Sequence, residues 1–462
     1  MTAPKPQARP ERVSAWRFLR LFRQDILSSQ PERLYRARMA EFRTPFFRSF
    51  LVNEPDLVRE VLMARPEDFP KSGRIAEGLR PLLGNSVFLT NGAAWARQRR
   101  IIDPAFGRGR LKEAFPALLG AGQAGAGRLA EGIVEIEQAA SHMAADAIFR
   151  TLFSLPIDAP LAASVYRDFR TYQRAQPLLN LAAFLPLPRW VPRGHRPAAR
   201  DAARRIRGAI ARMTAHRLAE IEAGSAPDDL ATKIMTTPDP ETGARFGAEE
   251  MVDQVAIFFL AGHETSAAAL AWSLYLLAAH PEAQARAAGE ARHFAEAPSF
   301  ASLSRLRFTR DVFREALRLY PPVPMMVREA AGRERFRDRE VPKGAQIVVS
   351  PWHLHRHARH WDRPDDFDPD RWQKGVCPGS ATYLPFSLGA RVCPGAGFAM
   401  LEGPLLLALL LARWRVAPVD GRAPVPVAHL TVRSRDGIWL ELRNRDTDLR
   451  ESLARSSQGS CA

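Results

Sequence analysis

Most of this chain reads as helix from the spacing of its apolar positions. The longest pattern begins at Ala248-Glu249-Glu250, where acidic residues suit a helix N-terminus. It runs to about Ala279, where His280-Pro281 stops it. A helix of about 30 residues is roughly 45 Å long, enough to cross a whole domain. A helix through a core must be apolar all round, and this one is, except at Gly262-His263-Glu264-Thr265-Ser266. The very apolar stretches 266–279 and 404–414 are too short to span a bilayer comfortably and are expected to be core helices. Strand signals are weak and fall at 46–52, 345–350 and 438–443. The pattern predicts one mainly α domain with small β-sheets at its edges, covering 1–445. Within it, 1–20 is expected to be a loosely ordered N-terminal segment, and 446–462 a disordered tail carrying Cys461.

The polar interruption is the first candidate for chemistry. Burying a carboxylate and hydroxyls costs several kcal/mol unless they are paired or wetted. One reading turns His263 and Glu264 to a solvent-facing side. Ala261-Gly262, one turn before Thr265, supports another, because small residues leave room against the helix. The Thr265 hydroxyl can bond back to the Ala261 carbonyl and loosen the helix locally. The result is a small groove, flanked by an acid and an alcohol, that can hold a diatomic ligand and a water and relay protons.

Composition narrows the class. The chain has 462 residues, 46% hydrophobic and 25% charged, as expected of a globular protein with a sizeable core. Three cysteines, Cys377, Cys393 and Cys461, cannot build a disulfide framework, which indicates a reducing compartment, here the cytoplasm. The proline-rich, charged start contains no apolar h-region, so neither a secretory signal nor an integral membrane segment is expected. The net charge is +16, from 66 basic and 50 acidic residues. Its arginines are scattered, with no basic tail and no interleaved aromatic motif, so no nucleic acid is expected as partner. The charge fits a solvated, arginine-rich surface, or a basic face that steers an acidic protein partner.

Val-Cys-Pro-Gly occurs twice, at Cys377 and Cys393. Only Cys393 is preceded by Phe386, Gly389 and Arg391 at seven, four and two residues; the same offsets from Cys377 hold Asp370, Gln373 and Gly375. A thiolate that binds iron needs a rigid loop, which Gly389 and Gly395 permit. It needs backbone N–H groups aimed at the sulfur and an apolar cover, which Phe386 can provide. A cation at Arg391 can meet a negative group of a cofactor. The plainer alternative for a lone cysteine is a small buried hydrophobe.

Phe386-x-x-Gly389-x-Arg391-x-Cys393-x-Gly395 resembles the haem-binding loop of the cytochrome P450 family. Other motifs follow in that family's order. Ala261–Ser266 resembles its oxygen-binding box. Glu315-Ala316-Leu317-Arg318, followed by Pro321-Pro322, resembles its Glu-x-x-Arg helix. Phe367-Asp368-Pro369-Asp370-Arg371-Trp372 resembles the loop whose arginine meets that helix. Trp95-Ala96-Arg97-Gln98-Arg99 resembles the helix that touches a haem propionate. The resemblance covers residues from about 90 to 440.

The resemblance implies the cytochrome P450 fold, with haem b (iron protoporphyrin IX) between the long central helix and the cysteine-loop helix. Cys393 becomes the axial thiolate and the metal ligand, which favours O–O cleavage. Glu264 and Thr265 become catalytic residues that deliver protons through water, with Ala261 and Gly262 leaving space for O2. Arg99, Arg328 and Arg391 become propionate partners, with Trp95 donating its indole N–H. Phe386, Gly389 and Gly395 complete the cofactor-binding set. Glu315, Arg318 and Arg371 become a buried ionic triad. His263 and His355 are expected to be packed residues and not ligands, and Cys377 a bystander.

The substrate pocket is sketched by Ile75, Leu79, Leu82, Val87 and Phe88; by Leu178, Leu179, Leu181 and Phe184; by Phe258 and Ala261; and by Val323–Met326 with the hairpin near Thr431–Ile438. A lipophilic small molecule is expected, such as a fatty acid, terpenoid or polyketide, with Arg74 and Arg80 as carboxylate binders. After Cys393 only about 70 residues remain, too few for a flavin or iron–sulfur domain. Electrons are therefore expected from NAD(P)H through a separate ferredoxin or flavodoxin with its reductase, in a soluble, bacterial-type, cytoplasmic monomer. The alternatives are a peroxide-driven peroxygenase on the same haem-thiolate fold and a non-enzymatic basic binding protein.

Overall fold

The central helix, Ala248–Ala278, organises everything around it. It starts behind Gly247, whose N–H donates to the Glu250 carboxylate at 3.0 Å. It stops before Pro281, the first residue of the helix Pro281–Glu296. Most of its side chains are apolar, on every face, because helices surround it: Ile136–Phe153, Pro197–Glu222, Arg307–Leu319 and the cysteine helix Ala396–Arg413. Trp272, fully buried, stacks on Tyr320 with ring centroids 3.9 Å apart. The central and cysteine helices are long and apolar enough by composition to cross a membrane. In this fold they pack on each other in the interior. The computed structural model describes residues 2–43, 48–175, 196–373, 381–428 and 430–445.

Eleven short strands lie around this helical body among the described residues. They are β1 Met39–Arg43, β2 Arg48–Val52, β3 Gly132–Glu135, β4 Met326–Glu329, β5 Glu334–Phe336, β6 Arg339–Val341, β7 Gln346–Val349, β8 Trp414–Pro418, β9 Pro426–Ala428, β10 Val432–Ser434 and β11 Trp439–Asn444. The expected strands correspond to β2, β7 and β11. The largest sheet has the order β1-β2-β7-β4, with β2 parallel to β7 and the other pairs antiparallel. Its edge strand β4 carries Arg328, bridged to Lys71. β3, β11 and β8 form a second sheet, and β9–β10 and β5–β6 are two-stranded.

A buried ionic knot fixes the cysteine side. Arg318 donates to both Glu315 oxygens, at 2.8 and 2.9 Å, and Arg371 donates to Oε1 at 3.1 Å. The spare Arg318 donors reach the carbonyls of His355, Pro364 and Asp366. His355 is wholly buried, and its Nε2 accepts the Leu384 N–H at 2.7 Å, which ties down the chain leading into the cysteine loop.

The start of the chain differs from the loose segment expected. Ala3 is buried and its N–H donates to Asp365 O at 2.8 Å. Lys5 bridges Glu32 and Asp365, and the Tyr320 hydroxyl donates to Pro4 O at 3.0 Å. The prolines keep this stretch extended, and it lies against the region around residue 365.

Candidate active site

The cysteine loop is built by close approach. Gly389 has φ +74°, and a Cβ there would lie 2.3 Å from Leu62 O, so only glycine fits. The Cys393 N–H donates to Phe386 O at 2.9 Å, which closes the turn. Phe386 packs with Ala269, Phe313, Leu317 and Met400, joining the loop to the central helix, the Glu315 helix and the cysteine helix. The Gly395 N–H points at the Cys393 sulfur and, with the Arg99 charge, favours the thiolate; burial outweighs both and pushes the thiol pKa up. Cys393 nevertheless keeps accessible surface. A residue this deep with open surface borders an internal space.

The central helix opens onto the interior over one turn. From Met251 to Ala278 every residue is buried except Ala261, Gly262, Thr265 and Ser266. Ala261 and Thr265, four apart, share a face. The Thr265 hydroxyl donates to Ala261 O at 2.6 Å. Ser266 donates to Glu402 of the cysteine helix at 2.8 Å. Burial pushes the Glu402 carboxyl up to about 7.

Gly262 serves packing and not the open face. A Cβ on it would lie 2.9 Å from Ile148 of the helix Ile136–Phe153. Glu264 also turns elsewhere. It accepts the Thr431 hydroxyl at 2.6 Å and pairs with Arg433 on β10. His263 is buried and neutral, pushed down to about 3 by burial, with Nε2 2.8 Å from Ser141 Oγ.

Cations gather around Trp95. Arg391 and Lys71 lie 5.0 and 5.7 Å from its ring centroid. Arg99 donates to Val392 O at 2.7 Å, beside the cysteine. Arg328 is 8% exposed, and among the described residues its one side-chain hydrogen bond is a 3.4 Å one to the carbonyl of its neighbour Val327. Burial and the Arg391 charge lower Arg328 to about 10. Burial and the charges of Arg328, Arg391 and Arg99 lower the Lys71 ammonium to about 6. Arg391 Nε is buried without an acceptor. The carboxylates here are Asp103 on Arg99, at 2.7 Å, and the exposed Glu67 on Arg391, at 3.2 Å. With the ammonium of Lys71 lowered to about 6, three arginines against two carboxylates leave one positive charge, and an anion brought to this cluster would favour protonation of Lys71 as well.

Comparison with known proteins decides what this arrangement belongs to. Residues 39–439 match the family model described as Cytochrome P450. The chain belongs to the cytochrome P450 family. Among relatives of this P450, cyclooctat-9-en-7-ol 5-monooxygenase of Streptomyces melanosporofaciens is 34% identical over 395 residues, 83% of each chain. Cyclooctatin synthase of the same organism is 33% identical over 402 residues, covering 83% of this chain and 84% of the relative. Cytochrome P450 4A11 of Homo sapiens is 30% identical over 418 residues, covering 84% of this chain and 78% of the relative. The P450 is a monooxygenase, and its family implies a haem cofactor. The residues present fit that group: a sulfur with open surface, an apolar cover in Phe386, and a cation cluster needing anions.

The fold of the P450 thus gathers Trp95, Arg99, Arg328, Arg391, Phe386, Gly389, Cys393 and Gly395 from three separate segments: one helix, one edge strand and the cysteine loop. Ala261 and Thr265 face the open turn, whereas Glu264 is engaged with Thr431 and Arg433. Two residues were missed by sequence reading. Lys71 had no motif around it, and its place depends on its bridge to Arg328. Arg433 had only its position in the hairpin named as pocket lining. Of the sketched pocket, Leu79, Arg433, Ser434 and Arg435 border a large cavity. Leu82 is fully buried in apolar packing, Phe88 is 45% exposed, and Arg80 donates to Asn85. Leu178, Leu179, Leu181, Phe184, Cys377 and Cys461 lie outside the described residues.

Proposed function

We propose that this P450 inserts one oxygen atom of O2 into a lipophilic small molecule, hydroxylating or epoxidising a fatty acid, terpenoid or similar compound. Electrons come from NAD(P)H through a separate ferredoxin or flavodoxin and its reductase. The observation that carries the reading is the open turn at Ala261 and Thr265, on the stretch of central helix packed against the cysteine helix. It supplies a hydroxyl beside an internal space in an otherwise sealed, apolar helix.

The haem, when bound, supplies the oxygen-activating chemistry. Cys393 is the residue to hold its iron, with the Gly395 N–H and Arg99 drawing charge from the sulfur. Arg99, Arg328 and Arg391 would hold its propionates by charge-assisted hydrogen bonds, with Lys71 joining them when protonated. Thr265 donates its own proton to Ala261 O, so its hydroxyl oxygen has lone pairs free to hold a water at the open face. Glu264, the neighbouring carboxylate, can resupply that water with protons only when it leaves its pair with Arg433. The decisive experiment is the spectrum of the reduced protein with carbon monoxide. Wild type gives a strongly red-shifted Soret band, and Cys393→Ser does not. A normal band in Cys393→Ser would refute the assignment.

One observation favours the peroxygenase alternative. Glu264 is paired with Arg433 and is thereby withheld from Thr265. Rapid product formation from hydrogen peroxide, with no reductant and no redox partner, would establish that alternative; strict dependence on NAD(P)H and a partner excludes it.

A further inference from the structure

A cavity of about 1660 Å³ lies between the N-terminal segment, the helix Pro160–Ala175, the central helix and the β9–β10 hairpin. Ordinary small-molecule pockets are about 300–1,000 Å³, so this one has room for a long chain. Its wall is apolar at Leu79, Leu260 and Leu430, and Leu260 is the residue before Ala261 of the open turn.

The polar groups on that wall are unequally matched. Lys5 is paired with Glu32 and Asp365, and Arg9 with backbone carbonyls. Asp25 accepts the backbone N–H groups of Leu27, Ser28 and Ala428. Arg433 and Glu264 neutralise each other. Three arginines on the wall, Arg17, Arg170 and Arg435, make no side-chain hydrogen bond or ion pair among the described residues. Arg170 is the innermost of them. It is half-buried and lies near enough to His263, on the central helix, to disfavour its protonation. Three residues along its helix, Gln173 holds a buried Nε2 with no acceptor. A half-buried guanidinium and an amide N–H, both unsatisfied and both facing one cavity, call for an anion.

We propose that the substrate of this P450 is an amphiphilic monocarboxylate, its head bound by Arg170 and Gln173 and its chain running along Leu79 and Leu260 toward the open turn. This rests on the monooxygenase reading of the site. One uncompensated inner cation matches one negative charge. A diphosphate head would need more charge than Arg170 supplies or a bridging metal ion. No group of acidic, histidine or cysteine residues able to hold one occurs among the described residues. Arg17 and Arg435, exposed at the outer part of the same cavity, raise the local concentration of an anionic amphiphile.

The test titrates the haem-loaded protein with palmitate, hexadecanol and methyl palmitate, reading the Soret shift and, separately, equilibrium dialysis. Palmitate is expected to bind at least about tenfold more tightly than either neutral compound. Arg170→Gln should erase most of that preference while leaving hexadecanol affinity and the carbon monoxide spectrum unchanged. Gln173→Leu should weaken palmitate selectively and by less. Equal affinities for acid and alcohol, an unaltered preference in Arg170→Gln, or no binding of any of the three overturns the proposal. Each of these leaves the haem-thiolate reading standing, because that reading fails only if the carbon monoxide band is absent.

Discussion

Thr265 and Gly389 are the two positions where one side chain decides most. Removing the Thr265 hydroxyl deletes the only alcohol on the open turn apart from Ser266, which is held by Glu402. Thr265→Ala is expected to keep its haem and its carbon monoxide spectrum. With a reconstituted redox partner, it should consume NAD(P)H while releasing hydrogen peroxide in place of product. The product formed per NAD(P)H oxidised, measured with the true substrate, checks this; full coupling in the variant would move the proton route elsewhere. Gly389→Ala tests the loop itself. A left-handed backbone costs a non-glycine residue about 1–3 kcal/mol, and the new methyl would also press on Leu62 O. Lower haem occupancy and a lower melting temperature are expected, and a variant with wild-type values would show that the contact relaxes freely.

At the scale of elements, two separate devices hold the surroundings of the cofactor site together. The Glu315–Arg318–Arg371 knot is one. Leaving one member of a buried ion pair uncompensated costs roughly 3–5 kcal/mol. Glu315→Ala should therefore give protein that fails to retain haem, as absorbance at the Soret band relative to protein will show. The Ser266–Glu402 bond is the other. The Glu402 carboxyl moves from 4.5 to about 7 on folding, so between those pH values the folded protein binds a proton that the unfolded chain has lost. Stability from this group is thus greatest at the acid end and falls as pH rises through the window. Against Glu402→Gln, the wild-type melting temperature should decline across the window and level off above it. A constant difference between the two would mean that Glu402 titrates normally.

How far the sequence could be read divides along the same line. The central helix was legible to within a residue or two because its period, its acidic start and Pro281 are all local. The Cys393 loop was legible because seven to ten consecutive residues carry its demands. Lys71 and Arg433 were not, because each gains its role from a partner far along the chain: Arg328 for one and Glu264 for the other. The role of Gly262 misled for the same reason. Its smallness answers Ile148, on another helix.

For the whole molecule, the +16 charge is the property with a consequence beyond the site. An acidic ferredoxin or flavodoxin would be drawn to such a surface, and salt should blunt the attraction, since the Debye length is about 10 Å at 0.1 M. Reduction by such a partner is expected to slow markedly as ionic strength rises, as stopped-flow absorbance will record; a salt-independent rate would detach the charge from partner docking. The contact between Gly389 and Leu62 bears on how the molecule comes into being. The cysteine loop rests on a short helix, Glu60–Ala64, made more than three hundred residues earlier, and the cations around Trp95 come from similarly scattered places. A ribosome releases these pieces in order, and the cysteine follows Leu62, Trp95 and Arg328. The growing chain therefore has no haem site to offer until the cysteine loop has been made. Capture of the cofactor must follow closure of the whole topology, a late and non-local event of the kind that folds slowly.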